Sequence, residues 1–124
     1  MSFFDTYIHG YDLCKDTVSV YHYEDGEVTK TVYDKAYFDS KKTENVERTG
    51  SADVTGFLVV IPGDAKACEV GDKVVLGDGE AVPQADVASW WRSFIPSKVE
   101  NLVVVRHVDA RRFGGKIVHT EASG

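Results

Sequence analysis

Thr17-Val18-Ser19-Val20-Tyr21-His22-Tyr23, then Glu24-Asp25-Gly26-Glu27, then Val28-Thr29-Lys30-Thr31-Val32, is the stretch whose reading decides the fold. In its first part Val18, Val20 and His22 alternate with Thr17, Ser19, Tyr21 and Tyr23. That period of two belongs to a strand with two unlike faces. Asp25-Gly26 is a strong hairpin cue, because glycine takes positive φ without a steric cost. Val28 to Val32 should therefore return antiparallel to the first strand. Lys30 and Thr31 argue that one face of the hairpin is wet.

Strand signals continue outward from this hairpin. Phe57-Leu58-Val59-Val60-Ile61 reads as a buried strand, and Pro62-Gly63 ends it by removing a ladder donor and permitting a turn. Gly71-Asp72 is a turn into a short strand, Lys73 to Leu76, which the glycine-rich Gly77-Asp78-Gly79 closes. Leu102 to Val105 is a second buried strand. Asp109 to Gly115 reads as a loop, and Lys116 to His119 opens a final strand, followed by a tail at Thr120 to Gly124 that is expected to fray. The polar segment Asp39 to Arg48 suits a solvent-facing strand or a loop. Only Gln84 to Phe94 reads as a convincing helix, because Val87, Trp90, Trp91 and Phe94 fall on one face and Pro96 stops it. Phe4, Tyr7, Ile8 and Tyr11 also have helical spacing, but Gly10 interrupts them, so residues 1–15 are expected to form an arm or a short helix. The expected fold is mainly β: a small β-barrel or sandwich of about six to eight strands with one short helix.

The chain has 124 residues, 43% of them hydrophobic and 27% charged, which is ordinary composition for one domain spanning residues 1–124. The apolar runs are far shorter than the roughly 20 residues of a membrane helix. The first residues show no basic segment followed by an apolar stretch, so no secretory signal is expected. Fourteen basic side chains face twenty acidic ones, a net charge of −6, which disfavours a nucleic-acid binder that relies on phosphate contacts. The charge is uneven. Residues 1–91 carry 8 basic and 17 acidic groups, a net of −9, whereas residues 92–124 carry 6 and 3, a net of +3. Solvated strand edges explain such a split. So does head-to-tail association of a basic end with a neighbour's acidic body.

Motifs that assemble chemistry are missing. Cys14 and Cys68 stand alone, without C-x-x-C or a nearby histidine, and are expected to be buried or half-buried thiols. His9, His22, His107 and His119 have no metal-binding spacing, although His107 and His119 could face each other across the last two strands. No serine lies in G-x-S-x-G, and no complete phosphate-binding glycine motif occurs. No metal, cofactor or catalytic residue is therefore expected, and the chain is not expected to be an enzyme. Trp90 and Trp91 project about 100° apart on a helix. One should anchor the helix, and Trp91 is a candidate partner contact. Arg111, Arg112 and Phe113 beside Gly114-Gly115 are the other candidates, since arginine pairs with carboxylates and phenylalanine supplies apolar area.

The order of these elements resembles a known family. Ile61-Pro62 ends a strand; Val70-Gly71-Asp72-Lys73-Val74-Val75-Leu76-Gly77 follows; then come Val103-Val104-Val105, Asp109, Arg111-Arg112-Phe113-Gly114-Gly115 and Lys116-Ile117-Val118-His119. From about Phe57 onward the chain is similar to the small minor capsid, or head–tail joining (head-closure), proteins of tailed phages and prophages. The resemblance implies a non-catalytic virion structural protein, a small β-barrel assembling into a ring at the neck. Its partners would be neighbouring copies, the portal or adaptor, tail proteins and passing genomic DNA held without sequence preference. It would reside in the virion neck, and in the host cytoplasm during assembly, with no membrane contact. The alternative from another class is a small β-barrel binding module for single-stranded nucleic acid or carbohydrate, using Tyr21, Tyr23, Tyr33, Tyr37 and Trp91 as stacking surfaces.

Overall fold

A computed structural model describes residues 13–44 and 52–124. The elements run β1 (Asp16–Glu24), β2 (Glu27–Glu44), β3 (Ala52–Pro62), β4 (Lys73–Leu76), α1 (Val87–Ser93), β5 (Leu102–Val104), β6 (His107–Phe113) and β7 (Lys116–Ser123). The seven strands form one antiparallel sheet in the order β5-β4-β1-β2-β3-β7-β6. The sheet curls into a half-barrel, so the expected mainly β, barrel-like fold with one short helix is what the chain adopts. Among the described residues no helix is long and apolar enough to cross a membrane.

The β1–β2 hairpin forms as its sequence dictates. Glu24 faces Glu27, and both Asp25 (φ 54°) and Gly26 (φ 80°) are left-handed, the two-residue turn whose twist matches that of the strands. β2 is long because it serves two partners. Its first half pairs with β1 and its second with β3. The register shifts between Asp16↔Ala36 and Val18↔Tyr33, so β2 carries one extra residue there. A bulge of this kind bends a strand and increases its twist. It turns Ala36 and Phe38 onto the same inner face as Val18 and Val20.

The edges of the sheet meet through the chain itself. β5 and β6 lie at opposite edges, yet only Val105 and Arg106 separate them in sequence. Val105 N donates to Asp72 O (2.9 Å), Gly71 N donates to Val105 O (2.8 Å) and Arg106 N donates to Ser123 O (3.0 Å). These bonds tie the corner to the turn before β4 on one side and to the end of β7 on the other.

Period-two alternation sorts the apolar residues into an inner and an outer set. Inside the curl lie Val18, Val20, Ala36, Val59, Ile61, Cys68, Val74, Val103, Val105 and Ala122, flanked by Tyr33, Phe38, Phe57, Ala67 and Val108. Outside, Tyr21, Val75 and Leu102 meet Phe94, with Trp90 and Trp91 of α1 packed alongside. A smaller outer cluster joins Cys14 and Val60 to Tyr37 and Leu58. Both cysteines are free and buried, as their isolation in the sequence suggests.

Three expectations need correction. The helix spans Val87–Ser93 rather than Gln84 to Phe94, because Asp86 takes a left-handed conformation (φ 55°) that no α-helix continues through. The tail Thr120 to Gly124 does not fray as a unit. β7 runs to Ser123 between β3 and β6, and Thr120 and Ala122 are fully buried. Asp109 to Gly115 is no loop: residues to Phe113 form β6, and Gly114 (φ 62°) and Gly115 (φ 82°) make a two-residue turn into β7. The polar segment after Asp39 is strand as far as Glu44; its remainder, like residues 1–12 of the expected arm, lies outside the described residues.

Gly79 is a point where the outer face tolerates no side chain. Tyr21 is wholly buried, its hydroxyl donates to Glu80 O (2.7 Å), and Gly79 N donates to Ser19 Oγ (2.9 Å). A β-carbon at Gly79 would overlap the Tyr21 hydroxyl. Gly79→Ala should therefore lower stability by about 1–3 kcal/mol, the range for overpacking a tight site. Urea denaturation checks it, and a midpoint equal to that of the wild type would contradict the packing described.

Candidate functional site

Two features of the fold offer chemistry or contact: a cleft at the mouth of the barrel, and the tip of the β6–β7 hairpin. The cleft follows from strand pairing. Tyr21 pairs with Lys73, which brings the end of β1 beside Asp72 at the start of β4. His22 shares the inner face of β1 with Val20, as its alternation predicts. Opposite it on β2 stand Thr29 and Thr31, and the segment Lys66 to Asp72 covers one side. The cleft offers about 310 Å³ and is open to solvent.

His22 Nδ1 donates to Asp72 Oδ1 at 2.6 Å. The Asp72 side chain is only 5% exposed. Its second oxygen accepts the Glu69 N–H at 2.8 Å, so both carboxylate oxygens are used. His22 Nε2 lies 3.7 Å from Glu24 and 3.8 Å from Glu69. The hydrogen bond to Asp72 is the largest cause that raises the His22 pKa above its ordinary value; burial opposes it, and the charges of Asp72 and Glu69 and a hydrogen bond to Glu24 add to it. Charge-assisted bonds of this kind favour the imidazolium.

A histidine oriented by a buried carboxylate also occurs in catalytic triads, where a nucleophile faces the other ring nitrogen. The sides of Nε2 nearest Glu24 and Glu69 present carboxylates, which hold the imidazolium rather than yield a proton to it. Cys68 lines the cleft, but its thiol is pushed up to about 12, first by burial and then by the charge of Asp72. It is a protonated packing group at neutral pH. No three His, Cys, Asp or Glu side chains among the described residues are placed to hold a metal ion. The His22–Asp72 pair fastens the mouth of the barrel to the corner at Val105. Sequence reading missed it, since no local signal joins residues 22 and 72.

The hairpin tip carries three of the four candidate contact residues. Arg111 is half-buried; its Nε lies 3.0 Å from Asp109 and 3.3 Å from Glu121. Glu121 in turn lies 2.8 Å from Nε2 of the buried His119. Arg111 is thus a cross-strand strut, directly opposite His119. The pairing imagined between His107 and His119 does not occur, because His107 stands opposite Ser123. Arg112 is exposed, and Phe113 is 81% exposed, the most exposed of the large apolar side chains described.

Trp91 is placed elsewhere, on α1 over the outer face of β1 and β4. It stacks on Tyr23 (5.5 Å), Lys73 Nζ sits 4.1 Å from its ring centre, and Lys73 Nζ also donates to Trp91 O (2.6 Å). Burial lowers the Lys73 pKa. Trp91 is half-buried by these neighbours, so Arg111, Arg112 and Phe113 form one surface and Trp91 belongs to another. Comparisons with protein-family models, curated proteins and solved structures gave no match.

Proposed function

We propose that this protein is a structural component of the head–tail connector of a tailed phage or prophage, acting without catalysis by assembling into a ring at head closure or the neck. The observation that carries this reading is the exposed Phe113 at the end of a charged hairpin. A large aromatic at a strand end, paired across the hairpin with Lys116, brings much apolar area to a contact. The charge split between the body and the C-terminal third favours association between unlike patches of equal subunits. The order of motifs from Phe57 onward supplies the phage assignment, and with it the portal or adaptor above and tail proteins below as partners. An acidic chain surrounding a DNA path would let the duplex slide, since phosphates gain nothing from binding to it.

The binding-module alternative gains no support. Tyr21 is fully buried, Tyr33 and Tyr37 are half-buried in clusters, and Tyr23 is engaged by Trp91. These side chains do not form a row on which bases or sugars could stack.

Deleting the gene from the phage or prophage that encodes it tests the proposal. DNA-filled heads that leak or fail to join tails are the expected result, read by electron microscopy and by infectivity. Normal infectious particles would overturn it.

A further inference from the structure

We propose that the β6–β7 hairpin tip of one copy docks in the barrel-mouth cleft of the next copy, with Phe113 entering the cleft and Arg112 meeting its acidic rim. This rests on the ring-forming role proposed above and names its contact.

The two surfaces match in shape and charge. The tip is narrow, because Gly114 and Gly115 carry no side chains, and its exposed charged residues, Arg112 and Lys116, are both basic. Asp109, the nearest acidic residue on β6, is occupied by Arg111. The cleft has an apolar lining at Val20, Ala67 and Cys68 and about 310 Å³ of space, enough for an aromatic ring. Its charged groups are Asp72, Glu69, Glu24, His22 and Lys66. Lys66 is drawn to Glu69 at 3.6 Å, and His22 to Asp72. Three carboxylates therefore face two cations when His22 is protonated and one when it is neutral. The cleft stays acidic in both states, and a basic tip is attracted to it. Within one chain Phe113 is exposed, so the tip does not occupy its own cleft. Tip and cleft are different patches of the same subunit. Their contact is heterologous, and it closes into a ring when the rotation between subunits allows.

Charge exchange at two exposed positions tests the contact. Glu69 and Arg112 both reach solvent, so Glu69→Lys and Arg112→Glu should each keep a cooperative denaturation transition, which verifies the fold, with a lower midpoint for Glu69→Lys because Lys66 and His22 lose a carboxylate. In sedimentation velocity over a range of concentrations, the wild type should self-associate. Each variant alone should associate about tenfold or more weakly, as for a reversed rim charge. Mixing the two variants should restore association, because each tip then meets a cleft of opposite charge. Phe113→Ser should weaken it in every combination. A wild type that stays monomeric at millimolar concentration, or variants that associate as it does, would overturn the proposal. Should particles still need the gene in that case, the connector role would stand and only this contact would fall.

Discussion

Replacing Phe94 by alanine should remove about 3–5 kcal/mol of stability, the usual cost of deleting a buried aromatic side chain. Phe94 is 2% exposed and is the knob that joins α1 to the sheet. Its ring meets Tyr21 edge-on at 4.7 Å and stacks on Trp90 at 4.6 Å. The helix has little to fall back on. It spans seven residues, and no side chain caps its N-terminus. Helices of that length are not stable alone in water, so packing supplies what holds this one. Loss of Phe94 should loosen the helix as a unit, and Trp90 and Trp91 report it directly. Urea denaturation followed by tryptophan emission should show a lowered midpoint and a red-shifted native signal. A cost under about 1 kcal/mol would mean that the outer cluster does not anchor the helix.

Asp72→Ala should cost about 3 kcal/mol, because it strips a buried acceptor from two donors at once. His22 Nδ1 and Glu69 N would both lose their partner at the mouth of the barrel. Asp72→Asn keeps the shape and removes the charge, so it should cost less than the alanine variant and change the pH response instead. The sign follows from the direction of the His22 shift. Its pKa is raised in the fold, so its stabilising contribution is complete below the ordinary histidine value of about 6.5 and is lost as pH rises through the higher folded value. Wild-type denaturation midpoints should fall across that window, and those of Asp72→Asn should be nearly flat. Equal slopes for the two proteins would exclude His22 as the source.

Local signals in the sequence were enough wherever neighbours along the chain set the structure. Asp25-Gly26 specifies its hairpin, the alternation through Val18, Val20 and His22 assigns the faces of β1, and the spacing of Trp90, Trp91 and Phe94 assigns the packed face of α1. Where distant strands decide, the sequence is silent. Thr120-Glu121-Ala122-Ser123 has the composition of a tail, yet pairing on both sides buries half of it, and the Thr120 hydroxyl accepts the Ala67 N–H at 3.0 Å. His22 and Asp72 are brought together by the β1–β4 register alone. Arg111 was legible as a charge but its strut to Glu121 was not, because a bulge between Arg111 and Arg112 sets which residues oppose one another.

The place of β7 between β3 and β6 also sets the timing of folding. During synthesis the apolar run Phe57 to Ile61 emerges long before the strand that flanks it, since β3 ends at Pro62 and β7 begins only at Lys116. At about 5–20 residues per second, the ribosome leaves that strand with β2 on one side and an open edge on the other for several seconds. Neither can the corner at Val105 and Arg106 be tied on its far side until Ser123 has emerged. The nascent chain thus carries an apolar strand with one open edge through most of its second half, and open edges are where other chains pair. Until β7 arrives, the open edge along Leu58 to Pro62 is the place where a second copy can pair, and the stability of the finished fold does not protect it.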